Sequence, residues 1–570
     1  MPRRHSLLVA VLIALVASLA QAQQPQTQMD RDLMEVTIPK LQALYASHKY
    51  TVTQVVQWYV ARIERYNGIY GAVQNLEVSR ALETAAREDA ESRAGGKGFQ
   101  MGPMWGVPIV IKANTSIEGW VTTDGWKGYK LPGHELTAPM DATVVKKLKA
   151  AGAVILGQTN MPDFAASDTN RSTVFGRTGN AYDVRYSPGG SSGGTVTAVT
   201  SNFAMLGTGT DTGNSIRMPA STSAVVGVFP TRGLVSIAGI APLDWLLDNT
   251  GPIARNVTDA AIALGVMAGA DPLDARTADA GTKAQPGPYT QYLNKDALKG
   301  KRFGVPAFVM HGAGVPFQGV PASASAEELA RQQKEEEVAL RPETRDAFMK
   351  AIEGLRAAGA TVVFDDSILP DSFAATASRV CTFPYVREGT EGFLKTFGPA
   401  QYHSVAEYEK ATGHPLPQVV TGRAIVDGQQ KGQAPIAQRV LESDPEAEAN
   451  YRAPLKRALE AYAEAFERLH LDGLVYPATQ MPPPDETMPQ DGRLSSGPHS
   501  DTSWVNMLGV PAVVVPGGFY PSGLPFGLEI SMLPWRDGDL MGYAYAYEQA
   551  TKHRRAPVLV EKGLLSNAGR

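Results

Sequence analysis

Val107-Pro-Ile-Val-Ile-Lys112, followed some thirty residues later by Thr143-Val-Val-Lys-Lys-Leu-Lys-Ala-Ala-Gly-Ala-Val-Ile-Leu156, sets the fold class. The first is a short continuous apolar run ending in a lysine, the pattern of a strand buried on both faces. In the second, Thr143 to Ala151 has helical spacing, Gly152 ends it, and Val154-Ile-Leu156 is another buried strand. A strand–helix–strand rhythm predicts an α/β fold around a mixed, largely parallel central sheet covered by helices on both faces.

The same reading extends outward along the chain. Val52, Val55, Val56, Tyr59, Val60 and Ile63 form a helical stripe, with Thr51 or Thr53 as cap and Gly68 beyond its end. A helix over 81–94 stops at Gly95-Gly96. Residues 196–206 suggest a helix and then a strand, and 258–268 a helix closed by Gly269. Residues 276–340 read as loops with one charged helix near 326–340. Pro342 to Ala358, Gly359 and Thr361-Val-Val-Phe364 repeat the helix–stop–strand pattern. Strands at 473–476, 510–515 and 526–530 and a helix at 539–551 complete the expected elements.

The chain has 570 residues, 43% hydrophobic and 19% charged, which is globular composition. Its formal net charge is −4, and it has no concentrated basic patch of the kind that nucleic acid or anionic membrane would require. The run Lys334 to Glu337 reads as a solvated helix face. Arg3 and Arg4, the apolar run Leu7 to Leu19 and Ala20-Gln21-Ala22 have the layout of a secretory signal peptide, residues 1–22. Its removal leaves 51 basic against 57 acidic residues, a net charge of −6. A periplasmic or secreted protein, without stable membrane insertion after cleavage, is the expectation. The single cysteine, Cys381, cannot form an intrachain disulfide and reads as core packing.

Three clusters can carry chemistry: Lys112 at its strand end, Gly189-Gly-Ser-Ser-Gly-Gly194, and Gly209-Thr-Asp-Thr-Gly-Asn-Ser-Ile-Arg-Met-Pro219. By itself the second is a linker composition. It lacks the Gly-Lys-Ser/Thr of a phosphate loop. Its Gly189-x-Ser191-x-Gly193 also fits a nucleophile elbow, but Pro188 stands where that elbow needs a strand. No histidine pair has zinc-ligand spacing, so no metal and no cofactor are expected.

Taken together, the clusters resemble the signature of the amidase signature family of serine hydrolases. That pattern has a lysine after an apolar strand, a Gly-Gly-Ser-Ser-Gly-Gly turn, and a Gly-Thr-Asp-x-Gly-x-Ser-Ile-Arg-x-Pro loop. Ser215 follows Ser191 by 24 residues, the family separation, which singles out Ser191 over Ser192. Gly157-Gln-Thr-Asn-Met161, Gly251-Pro-Ile-Ala-Arg255, Leu508 to Gly518, Gly523 to Leu528 and Glu548-Gln-Ala-Thr551 extend the likeness.

The resemblance implies a single domain over 23–570, with its motif core at about 50–275 and 455–555 and a variable region at about 276–450 that sets the substrate. It implies Ser215 as nucleophile, Ser191 as relay and Lys112 as base, with a cis bond into Ser191. The amides of Thr212, Gly213, Asn214 and Ser215 would hold the oxyanion, and Asp211 and Arg217 would organise the loop. Such a base must be uncharged, which burial beside Ile109-Val-Ile111 favours. Asn214 stands where many relatives have glycine, and asparagine tolerates a left-handed backbone there. The implied activity is cleavage of a linear carboxamide in a small-molecule substrate through an acyl-enzyme, releasing carboxylic acid and ammonia or amine. The alternative is a tRNA-dependent amidotransferase subunit, since that activity also occurs in the family. Oligomeric state is not legible.

Overall fold

A computed structural model describes residues 27–422, 437–487 and 497–560. The expected signal peptide, 1–22, lies outside them. The chain divides into two compact units, Met1–Val36 and Thr37–Arg570. In the first, Thr27 and Asp30 form a capping box at the start of the helix Gln28–Leu33.

The second unit is built on a mixed sheet of eleven strands flanked by helices. In chain order the strands are β1 (Val73–Leu76), β2 (Val107–Lys112), β3 (Ala153–Thr159), the small hairpin β4 (Arg171–Ser172) and β5 (Gly176–Arg177), β6 (Leu206–Asp211), β7 (Val226–Phe229), β8 (Asn249–Ala254), β9 (Arg302–Val305), β10 (Thr361–Phe364), β11 (Gly473–Pro477), β12 (Ala512–Phe519) and β13 (Pro525–Ser531). The central order is β1-β3-β2-β6-β8-β7-β12-β13-β11-β9-β10. Parallel pairing runs through β3-β2-β6 and through β11-β9-β10. Antiparallel pairing joins these two groups through β8, β7, β12 and β13. β2, β3 and β6 are buried along their whole length, which explains their mainly apolar or small residues; Lys112, Gln158 and Asp211, towards their C-terminal ends, are buried polar exceptions.

Most expected elements stand within a residue or two of their sequence limits. The helix predicted from Val52 does begin there, capped by Thr51, whose side chain accepts from the Gln54 amide. It does not stop at Gly68 but runs to Tyr70 and closes on Gly71 at φ 59°. Burial of Tyr66 and Tyr70 makes the extra turn favourable. At Gly71 a Cβ would lie 2.5 Å from the Arg177 carbonyl oxygen, so the glycine is needed there.

Several elements are not foreseen by the sequence patterns, among them β1, β7, β8, β9 and the helices Ile38–Ala46, Val386–Phe397 and Ala453–Leu469. β1, β7 and β9 are only four residues long, too short for a periodicity signal. β9 also lies inside the stretch expected to be loops and one helix. The helix Ala453–Leu469 was legible in principle, because Ala458, Tyr462, Ala465 and Phe466 form a buried i, i+4, i+7, i+8 stripe. It packs with Trp504 in a buried hydrophobic cluster. The charged helix expected near 326–340 begins at Ala326 but ends at Glu335, short of Leu340, and has no buried residue. Cys381 is buried, and burial pushes its thiol up to about 12, consistent with packing.

Candidate active site

Sheet register places the first chemical group. β2 and β6 are parallel neighbours, with Ile109 opposite Leu206 and Val110 opposite Gly207. The last residue of β2, Lys112, therefore lies beside the end of β6, and its amide donates to Thr208 Oγ1 at 3.2 Å. The Gly-Gly-Ser-Ser turn feeds the helix Gly193–Thr200, which packs on both strands. Gly189 takes φ 74°, and a Cβ there would lie 3.0 Å from Pro219 Cα, so the turn fits tightly against the third motif. The Gly190–Ser191 bond is cis, as the resemblance implied.

Lys112 is fully buried. Its Nζ lies 2.7 Å from Ser191 Oγ, 2.8 Å from Thr210 Oγ1, 3.1 Å from Ser192 Oγ and 3.3 Å from the Thr210 carbonyl oxygen. Ser192 Oγ donates to that same carbonyl at 3.2 Å, and Asn114 Nδ2 donates to Thr210 Oγ1 at 3.0 Å. The Thr210 carbonyl and the Ser192 hydroxyl can take both N–H groups of an uncharged amine, leaving its lone pair for the Ser191 proton. Burial lowers the Lys112 pKa to about 7, against an opposing pull from Asp124, Asp211 and Asp248. At neutral pH a large share of this amine is therefore uncharged.

Ser215 follows a loop whose shape is set by a buried ion cluster. Arg217 Nε donates to Asp211 Oδ2 at 3.1 Å and Nη1 to Glu529 Oε1 at 2.7 Å; all three side chains are fully buried. Arg217 also donates to the carbonyls of Gly213 at 3.0 Å and Thr502 at 3.1 Å, and to Asn506 Oδ1. The Ile216 amide donates to Asp211 Oδ2 at 2.9 Å, turning the chain around the carboxylate. Asp211 and Arg217 thus organise the loop, as expected.

Among the described residues, the amides of Thr212, Gly213, Asn214 and Ser215 find no protein acceptor. Four adjacent free donors suit a developing oxyanion. Asn214 adopts no left-handed backbone, so its tolerance of one is not called upon.

Lys112 and Ser191 are thus in direct contact, and Ser215 stands next to their turn. Its link is main-chain: the Ser192 amide donates to the Ser215 carbonyl at 3.1 Å. Among the described residues no hydrogen bond joins the Ser191 and Ser215 hydroxyls. Thr210, Ser192 and Asn114 were not singled out from sequence, although the first two lie inside quoted motifs. Asp248 was missed as well. Its carboxylate accepts from Thr212 Oγ1 at 2.6 Å and from the Leu243 amide at 3.1 Å, and burial raises it to about 7. No group of three or more His, Cys, Asp or Glu side chains suited to a metal ion occurs among the described residues.

Known proteins share this sequence pattern and this fold. The protein-family model described as Amidase matches residues 54–316 and 328–541. The glutamyl-tRNA(Gln) amidotransferase A subunit of Symbiobacterium thermophilum is 32% identical over 553 residues, covering 92% of this chain and 99% of that protein. The protein of the same name from Moorella thermoacetica is 32% identical over 516 residues, covering 88% and 93%. Among solved structures, the peptide amidase of Stenotrophomonas maltophilia superposes with a TM-score of 0.72 at 29% identity, covering 92% of this chain and 99% of that one.

Proposed function

The chain belongs to the amidase family, and we propose that it is a hydrolase of linear carboxamides working through Lys112, Ser191 and Ser215. The observation that carries this reading is the buried Lys112 Nζ, 2.7 Å from Ser191 Oγ, with a pKa brought to about 7.

In the proposed sequence, Ser191 gives its proton to the neutral amine and takes one from Ser215. The relay requires the Ser191 and Ser215 hydroxyls to come into hydrogen-bond contact when substrate is bound. Ser215 Oγ then attacks the carbonyl carbon, and the negative charge gathers on the carbonyl oxygen. The free amides of Thr212 to Ser215 face this oxyanion, each such donor contributing about 3–4 kcal/mol in comparable sites. The proton held at Lys112 returns through Ser191 to the leaving nitrogen, and the C–N bond breaks. Water enters by the reverse relay, releasing the carboxylic acid and regenerating Ser215. The products are the acid and ammonia or an amine.

A second reading is favoured by the named relatives: a subunit of a tRNA-dependent amidotransferase. The leader-like sequence at 1–22 and the net charge of −6 without it support the exported hydrolase instead. In that reading the mature protein begins near Gln23 and works in the periplasm or outside the cell. The deciding experiment gives the purified chain a graded set of primary and N-substituted amides and measures acid and amine release, while the protein recovered from fractionated cells is sequenced from its N-terminus. Hydrolysis by the isolated chain with a terminus near Gln23 is the expected result. Recovery from the cytosol with residues 1–22 intact, and amide cleavage only alongside partner proteins, would establish the second reading.

A further inference from the structure

Three carboxylates act on Lys112, and they are not equally provided for. Asp211 is engaged by Arg217, by Asn506 Nδ2 at 2.8 Å and by the Ile216 amide. Asp248 is engaged by Thr212 and by the amides of Leu243 and Asp244. Asp124 acts on the lysine more strongly than either. Yet among the described residues its carboxyl accepts no hydrogen bond and bridges no cation, and its Oδ1 is sealed from the surface without a partner.

The backbone holds Asp124 in that place. Its amide donates at 3.1 Å to the carbonyl of Ala113, the residue after Lys112, and its own carbonyl accepts from the Phe164 amide at 2.8 Å. It sits in the left-handed region at φ 47° and is 1% exposed. Gly125 follows at φ 72°, where a Cβ would strike the Met161 carbonyl oxygen at 2.5 Å. The side chain is thereby confined beside the end of β2.

A buried carboxyl without a partner is costly, and the cost is recovered only by a group that supplies donors and, if the acid ionises, a positive charge. Lys112 does not do this; its nitrogen is taken up by Ser191, Ser192 and Thr210. We propose that Asp124 is a substrate-binding residue that pairs with an amino group carried by the amide substrate, so that the preferred substrates are amides of amino-bearing compounds. The inference rests on the amide-cleaving reading above and specifies its substrate class. On binding, a neutral Asp124 passes its proton to a neutral amine, or an ionised Asp124 meets an ammonium. Either route ends in a carboxylate–ammonium pair of zero net charge, which leaves Lys112 uncharged and able to act as base. Burial holds the free Asp124 carboxyl well above the usual carboxylate range, as an acid awaiting such a partner would be.

The test compares amides matched in skeleton: leucinamide with 4-methylpentanamide, and 5-aminopentanamide with pentanamide. The ratio of kcat/KM within each pair is measured for the wild-type protein, Asp124→Asn and Asp124→Ala. The wild type is expected to favour the amino-bearing member of at least one pair about tenfold or more. Both variants are expected to bring that ratio close to one, with Asp124→Asn preserving side-chain shape should Asp124→Ala fold poorly. Cleavage of the plain amides with no amine preference, or a preference that survives both substitutions, overturns the role of Asp124 and leaves the amide-cleaving reading standing. Failure of the wild type to cleave either member of both pairs overturns both.

Discussion

The backbone amide of Ser192 donates to the carbonyl oxygen of Ser215 at 3.1 Å, tying the glycine–serine turn to the loop that bears the proposed nucleophile. Lys112 contacts the same turn through Ser191 and Ser192, and Thr210, at the end of β6, closes the ring around its nitrogen. A change at any one of these residues is therefore felt by the others.

Replacing Ser215 with alanine removes a hydroxyl that makes no hydrogen bond among the described residues, so folding should survive. Turnover is expected to fall by at least ~10³-fold if this is the nucleophile. A fluorophosphonate should label the wild type at Ser215, as read by peptide mass spectrometry, and leave Ser215→Ala unlabelled. Labelling at another serine would remove the assignment.

The Lys112 pKa of about 7 carries a sign that can be measured. The base is active only when neutral, so kcat/KM should rise about tenfold per pH unit below ~7 and level off above it. Lys112→Ala should cost more at neutral than at alkaline pH, where hydroxide partly replaces the base. A loss of equal size across the pH range would rule out the base role.

Arg217→Met withdraws the cation from Asp211 and Glu529, both fully buried. Removing one partner of a buried ion cluster leaves uncompensated charge and costs about 3–5 kcal/mol. Urea unfolding should show a midpoint lowered accordingly. A change below ~1 kcal/mol would mean that the cluster is dispensable.

Gly189→Ala places a Cβ 3.0 Å from Pro219 Cα at a backbone φ of 74°. The left-handed geometry alone costs roughly 1–2 kcal/mol for a residue with a side chain. Melting temperature and kcat should fall together, because the turn that shifts also holds Ser191. An unchanged kcat in a destabilised variant would uncouple the turn from the chemistry.

Much of this protein was legible from residue order. The apolar run before Lys112, the helix closed by Gly152 and the Gly–Ser turn are local patterns, and local patterns report directly on local structure. Lys112, Ser191, Ser215 and the four amides before and at Ser215 could be named because they lie in three short motifs. Asp124, Asp248 and Glu529 could not. Nothing in their neighbourhoods distinguishes them from carboxylates on a surface. They matter because β-sheet order and loop packing bring segments hundreds of residues apart into one buried volume. The same holds for the lysine. Its identity is written in the sequence, but its lowered pKa exists only because the folded chain removes it from water on every side. Sequence determined which groups are available and in what local geometry. Tertiary structure decided their dielectric surroundings and their partners, and hence which proton each can hold at neutral pH.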